Sequence, residues 1–226
     1  MADHGMHCIS GPDVAQGVTT SLVSHHVNMA PTILQMLGVP VQASYAFDGA
    51  PIAYTSAALA TSPKTELVNV EYWNSLSSPE LLPAGEYYNN TYKALRLMSD
   101  GNSFYYSKWC TGEQEFYNMN TDASQLKNRL ATPPKGKAAR YYGRKEAMLY
   151  NRLDALLMVA KSCQQDSCRN PWGTLFPNGQ VTDLAGAMQS QYDSFFANQP
   201  KVSYSSCKLL LWLALCPNGC ANIHCR

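Results

Sequence analysis

The stretch Glu86–Met119 reads EYYNNTYKALRLMSDGNSFYYSKWCTGEQEFYNM. Tyr92–Met98 sets Ala94, Leu95 and Leu97 among polar neighbours, which is a strand pattern. Ser99-Asp100-Gly101-Asn102 is a turn signal, because Asp-Gly supplies the positive φ that tight hairpins need. Phe104–Cys110 is rich in aromatics and predicts the return strand. Thr111-Gly112 turns the chain again, and Glu115–Met119 predicts a third strand. The product is an antiparallel meander on which the rest of the chain must pack.

Working outward, Leu67–Trp73 (LVNVEYW) alternates like a fourth strand. Lys145–Lys161 is the best helix: Leu149, Leu153, Leu156 and Ala160 fall at steps of four, three and four, forming one apolar stripe. Met29–Leu37 predicts a helix with Asn28 as its N-cap, Pro31 in the first turn and Gly38 as its stop. Leu184–Ala197 predicts another helix, Ala57–Ala60 a single helical turn and Val18–Val23 a short strand. Val39–Leu59 and Ser162–Asn178 read as loops, punctuated by Pro and Gly.

The 226 residues suffice for one large domain or two small ones. A net charge of +1 implies no strong pull toward nucleic acid or an anionic membrane. The apolar run Leu209–Leu215 is far shorter than the ~20 residues of a membrane span. The start lacks the charged and apolar regions of a signal peptide. Eight cysteines and the sequon Asn89-Asn90-Thr91 nevertheless favour an extracellular or lumenal ancestry, so the start is not expected to be the natural one.

Several segments, in order, resemble the sulfatases. Ser24-His25-His26-Val27-Asn28-Met29-Ala30-Pro31-Thr32-Ile33-Leu34 resembles that family's "hVdlaPTil" helix, and Phe47-Asp48-Gly49-Ala50-Pro51-Ile52 the "DG-x-S/P-L" loop that follows it. Tyr88–Arg96 is similar to the YNNTY strand of the eukaryotic arylsulfatase and N-acetylglucosamine-6-sulfatase group. Glu115–Asp122 resembles the segment that ends the sulfatase sheet. Tyr150–Leu157, with Cys163 and Cys168, matches that group's C-terminal helix and paired cysteines. The match runs from about Gly11 to Cys207.

The resemblance implies an α/β fold: the end of an alkaline-phosphatase-like catalytic domain in residues 1–62, then a C-terminal subdomain in 63–207. That subdomain is a four-stranded antiparallel sheet packed on the helix Lys145–Lys161. Residues 208–226 form an unassigned Cys-rich tail. The parent reaction is hydrolysis of a sulfate ester or sulfated glycan, with Ca²⁺ as cofactor. Its nucleophile is a formylglycine made within C/S-x-P-x-R, and no such motif occurs in the chain. Without that nucleophile the chain is expected to be a catalytically incomplete C-terminal part. Asp3-His4-Gly5-Met6-His7 is similar to the family's "D-N-G-x-H", which makes Asp3 and His4 metal-ligand remnants and His7 a catalytic remnant beside the sulfate.

Other clusters admit bland readings. Cys163 and Cys168 could bind metal, but a small-loop disulfide is expected in a secreted family. Cys110 and Cys207 have no local partner, which leaves pairing with each other open. Cys216, Cys220, His224 and Cys225 offer zinc-type ligands, yet the adjacent His224 and Cys225 strain a tetrahedron. Lys135, Lys137, Arg140, Arg144 and Lys145 form a basic cluster, read either as a solvated face or as the grip of a non-catalytic sulfated-glycan-binding module.

Overall fold

A computed structural model describes residues 8–40, 42–62, 65–72, 91–131, 139–205 and 207. At its centre is the predicted meander, with β1 (Leu67–Tyr72), β2 (Tyr92–Ser99), β3 (Asn102–Trp109) and β4 (Gln114–Asn118) hydrogen-bonded in sequence order, every neighbour antiparallel. Ser99 pairs with Asn102, so Asp100 and Gly101 form a two-residue turn with φ of 47° and 74°. Both values are positive, as the type I′ hairpin requires.

Period-2 alternation sorts the strands into two faces. Leu67, Leu95, Leu97, Phe104, Tyr106 and Phe116 share the main core with Leu149, Leu153 and Leu156 of α3 (Glu146–Ala160). Tyr92, Ala94, Tyr105, Tyr117 and Met119 form a second buried cluster on the other face. Lys93 and Lys108 lie on the α3 side and are buried, so their charges need partners. Lys93 Nζ donates to Glu71 Oε1 at 2.9 Å and to the Lys161 carbonyl at 3.0 Å. Lys108 Nζ lies 2.7 Å from Asp154 Oδ1, which also accepts from the Tyr106 hydroxyl at 3.0 Å.

The predicted stripe on α3 is buried, but so are Arg152, Asp154, Ala155 and Leu157. The helix is enclosed because segments read as loop or as one long helix wrap its far side. Ser162–Asn178 contains α4 (Asp166–Arg169) and α5 (Pro171–Leu175). Helix α5 starts on Pro171, and the Asn170 side chain accepts from Gly173 N. The predicted Leu184–Ala197 helix is broken into α6 (Leu184–Ala187), a 3₁₀ turn Ser190–Tyr192 and α7 (Asp193–Ala197). Arg152 sits at the break: its Nε donates to the Ala187 carbonyl at 3.0 Å and its Nη2 to that of Gln189 at 3.4 Å, which also accepts from Tyr192 N in the 3₁₀ turn.

Ahead of the sheet, a 3₁₀ turn His26–Asn28 runs into α1 (Met29–Met36). Asn28 stands at the predicted N-cap position of α1 but makes no capping bond: its backbone is already helical, its Oδ1 accepts from His25 N at 2.7 Å and its Nδ2 donates to the Ala50 carbonyl at 2.7 Å. The single turn expected at Ala57–Ala60 is α2 (Ser56–Thr61), capped by Thr55 through Ala58 N. Val18–Val23 forms no strand, and among the described residues no strand pairs with it. Residues Arg140–Tyr141 (β5) and Arg144–Lys145 (β6) make a small hairpin that was not predicted.

Among the described residues two disulfides tie the body: Cys110–Cys207, which links the end of β3 to the C-terminal side, and Cys163–Cys168 beyond the end of α3. In a chain-entropy view the first contributes roughly 2–3 kcal/mol more than the second, because it spans 97 residues rather than 5.

Candidate functional site

The predicted remnants Asp3, His4 and His7 and the sequon residue Asn89 lie outside the described residues, as do Lys135, Lys137, Cys216, Cys220, His224 and Cys225. Of the predicted site residues, Cys163 and Cys168 are described, and they form the expected disulfide.

The structure does join the two N-terminal motif stretches. Thr32 is buried, its hydroxyl donates to the Asn28 carbonyl at 2.6 Å, and it accepts from Ile52 N at 2.9 Å. Gly49 lies against the Val27 backbone so closely that a Cβ there would fall 2.2 Å from the Val27 carbonyl oxygen. Only glycine fits such an approach. The same loop then reaches the disulfide: Asp48 Oδ1 accepts from Gln165 N at 2.7 Å, and Arg169 Nη1 donates to the Phe47 carbonyl at 2.6 Å. Burial holds the His25 imidazole below its usual pKa, against an opposing backbone hydrogen bond with Leu67.

A second feature is an open polar groove of about 380 Å³ between the β5–β6 hairpin and the turn after α6. Tyr142, Arg144, Met188, Gln189, Ser190 and Gln191 line it. Tyr142 holds a positive φ of 51° ahead of Gly143, and its hydroxyl donates to the Ser99 carbonyl at 3.2 Å. Arg144 and Arg152 share Asp193, leaving the trio a net charge of +1. Partial burial alone would raise the Asp193 pKa, but the hydrogen bonds from the two guanidiniums overcome it and bring it below the ordinary value. The basic cluster is thus not a uniformly free face, since Arg140 folds back onto the Gly143 carbonyl and Arg144 is held by Asp193.

Sequence reasoning missed Arg152 and Asp193. One signal was available: a charged residue next to the stripe leucine Leu153, in a helix whose neighbours are apolar.

Among the described residues no group of three or more His, Cys, Asp or Glu could hold a metal ion. Of the remnant pair, Asp3 offers carboxylate oxygens and His4 only nitrogen. Ca²⁺ takes about six to eight oxygens, so this pair could supply at most part of such a site.

No protein-family model matches the chain. A sulfatase of Metarhizium majus (strain ARSEF 297), named sulfatase ppz1, is 31% identical over 200 residues, which is 88% of this chain and 39% of that protein. An arylsulfatase of Volvox carteri is 31% identical and one of Chlamydomonas reinhardtii 27%, each over 201 residues, 83% of this chain and 29% of theirs. A solved sulfatase structure from Bacteroides thetaiotaomicron superposes with a TM-score of 0.43 at 20% identity, covering 71% of this chain and 32% of that one. An α/β chain with an antiparallel meander and helices, matched in order by these relatives, is a sulfatase homologue. Two of the three are arylsulfatases, and the chain spans about three to four tenths of the length of the relatives it matches.

Proposed function

We propose that the chain is the C-terminal part of an arylsulfatase-type sulfuric ester hydrolase, and that its 226 residues alone do not hydrolyse sulfate esters. In this reading residues 1–62 end the catalytic domain, 63–207 are the C-terminal subdomain and 208–226 remain unassigned. The observation that carries it is the 31% identity over 200 residues, which spans only 39% of the matched sulfatase. The junction of Thr32 with Ile52 and of Gly49 with Val27 supports it, because both stretches were singled out as sulfatase-like.

Sulfate-ester cleavage needs a nucleophile at sulfur and cationic groups on the oxygens as charge develops. The formylglycine motif is not among these residues, and Asp3 and His4 do not complete a Ca²⁺ cage, so no catalytic step is assigned to this chain's described side chains. His7 keeps its proposed place on the sulfate side. The two disulfides and the Asn89 sequon support a secreted or lumenal glycoprotein. No helix among the described residues is long and apolar enough to cross a membrane. Turnover of an aryl sulfate by the 226-residue chain, with and without Ca²⁺, tests the reading: release at the buffer rate is expected, and protein-dependent release overturns it.

A second reading, a non-catalytic sulfated-glycan-binding module, is favoured by the groove beside the Arg144–Asp193–Arg152 trio with its surplus positive charge. Heparin retention that falls on reversing Lys145 to Glu supports it, and unchanged or absent retention removes it.

A further inference from the structure

We propose that the Cys163–Cys168 disulfide is a redox-sensitive clamp that docks the N-terminal segment, through its Phe47–Asp48–Gly49 turn, onto the sheet-and-helix body. The bridge closes a short loop in which Gln165 is held at a φ of 51°, a region costly for a side chain with a Cβ. That conformation aims the Gln165 N–H at Asp48 Oδ1, 2.7 Å away. The loop's helical turn, α4, ends at Arg169, which grips the Phe47 carbonyl at 2.6 Å. From there the contact passes inward: Ala50 O holds Asn28, Ile52 N holds Thr32, and Gly49 sits against Val27. The two sulfur atoms thus decide whether the partners of Phe47 and Asp48 keep their positions.

The two bridges differ on one side only: Cys163, Cys168 and Cys207 are half-buried, whereas Cys110 is buried, so the first bridge has two accessible sulfurs and the second has one. An external dithiol attacks the more accessible sulfurs first. In that step the dithiol's two thiols become a disulfide, the Cys163–Cys168 S–S bond breaks, and two cysteine thiols form, a balanced two-electron exchange. Freed of ring closure, Gln165 relaxes to negative φ, its N–H turns from Asp48, and the turn releases.

The test is a dithiothreitol titration of the full chain, with thiol alkylation mapped by mass spectrometry and amide hydrogen exchange followed in parallel. The expected result is alkylation of Cys163 and Cys168 while Cys110 and Cys207 stay bridged. At that stage exchange in peptides covering 25–37 and 45–54 rises at least tenfold, and exchange in β2 and β3 is unchanged. Asp48→Ala, which leaves both disulfides intact, should raise exchange in the same peptides without reductant. Opening of Cys110–Cys207 first, or opening of Cys163–Cys168 with no change at 45–54, overturns the proposal.

Discussion

Arg152 and Asp193 meet at 2.7 Å with the Arg152 side chain wholly buried and the Asp193 side chain one-third exposed. Arg152 also donates to the carbonyls of Met148, Ala187 and Gln189 and lies 4.6 Å over the Phe196 ring. One side chain therefore joins α3, α6 and α7. Arg152→Met removes every donor, yet Asp193 keeps Arg144 and the Gln189 carbonyl keeps Tyr192 N, so the loss should be about 1–3 kcal/mol, mainly from the buried carbonyl of Ala187 and the lost packing. Arg152→Lys keeps the charge without the planar fork and should recover only part of it. Urea unfolding followed by circular dichroism checks both.

Asp193 also predicts an acid limb. Its folded-state pKa is depressed, so it contributes stability that is present above the ordinary aspartate value and is lost as pH falls through the lower, folded one. Stability should decline across that acid range, and Asp193→Asn should lower stability at neutral pH while flattening the decline. Melting temperatures taken from pH 7 to pH 2.5 read both effects.

Glu66 has the opposite sign. Burial raises its pKa, against hydrogen bonds from Trp172 Nε1 and Leu184 N. Its folded form prefers the proton, so its ionisation costs stability as pH rises from the ordinary glutamate value through the raised one. Glu66→Gln keeps an oxygen to accept from Trp172 Nε1 at 3.1 Å and Leu184 N at 2.9 Å, yet carries no charge. The variant should be more stable than the parent at pH 7 and indistinguishable from it near pH 4, in the same melting series.

Gly49→Ala forces a Cβ into the Val27 backbone, an overpacking of about 1–3 kcal/mol. Because the clash lies between a loop and the entry to α1, the effect should be local: faster amide exchange over 25–52, with β2 and β3 protected as before. A uniform loss of protection would contradict the local assignment.

How much of this was legible follows from how far each feature reaches along the chain. The four strands could be read because Leu95, Leu97, Phe104 and Tyr106 keep period 2 and Asp100-Gly101 dictates its own turn. Helix α3 announced itself through Leu149, Leu153 and Leu156. The break between α6 and α7 was hidden, because local pattern favours a continuous helix and Arg152, which bonds the Ala187 carbonyl at the break, lies more than 30 positions earlier. Asn28 looked like a cap for the same kind of reason: its side chain finds Ala50 across the loop, a partner no local window contains. The Cys163–Cys168 pair was readable from spacing and family likeness, whereas its hold on Phe47 and Asp48 depends on tertiary docking.

Sulfate-ester turnover tests the central claim most directly. The purified 226-residue chain, at saturating aryl sulfate, is assayed with Ca²⁺ and again after chelation. Phenol release at the buffer rate is expected in both, because none of the 226 residues lies in a C/S-x-P-x-R context to become the nucleophile. Release that scales with protein concentration and disappears on chelation would contradict it.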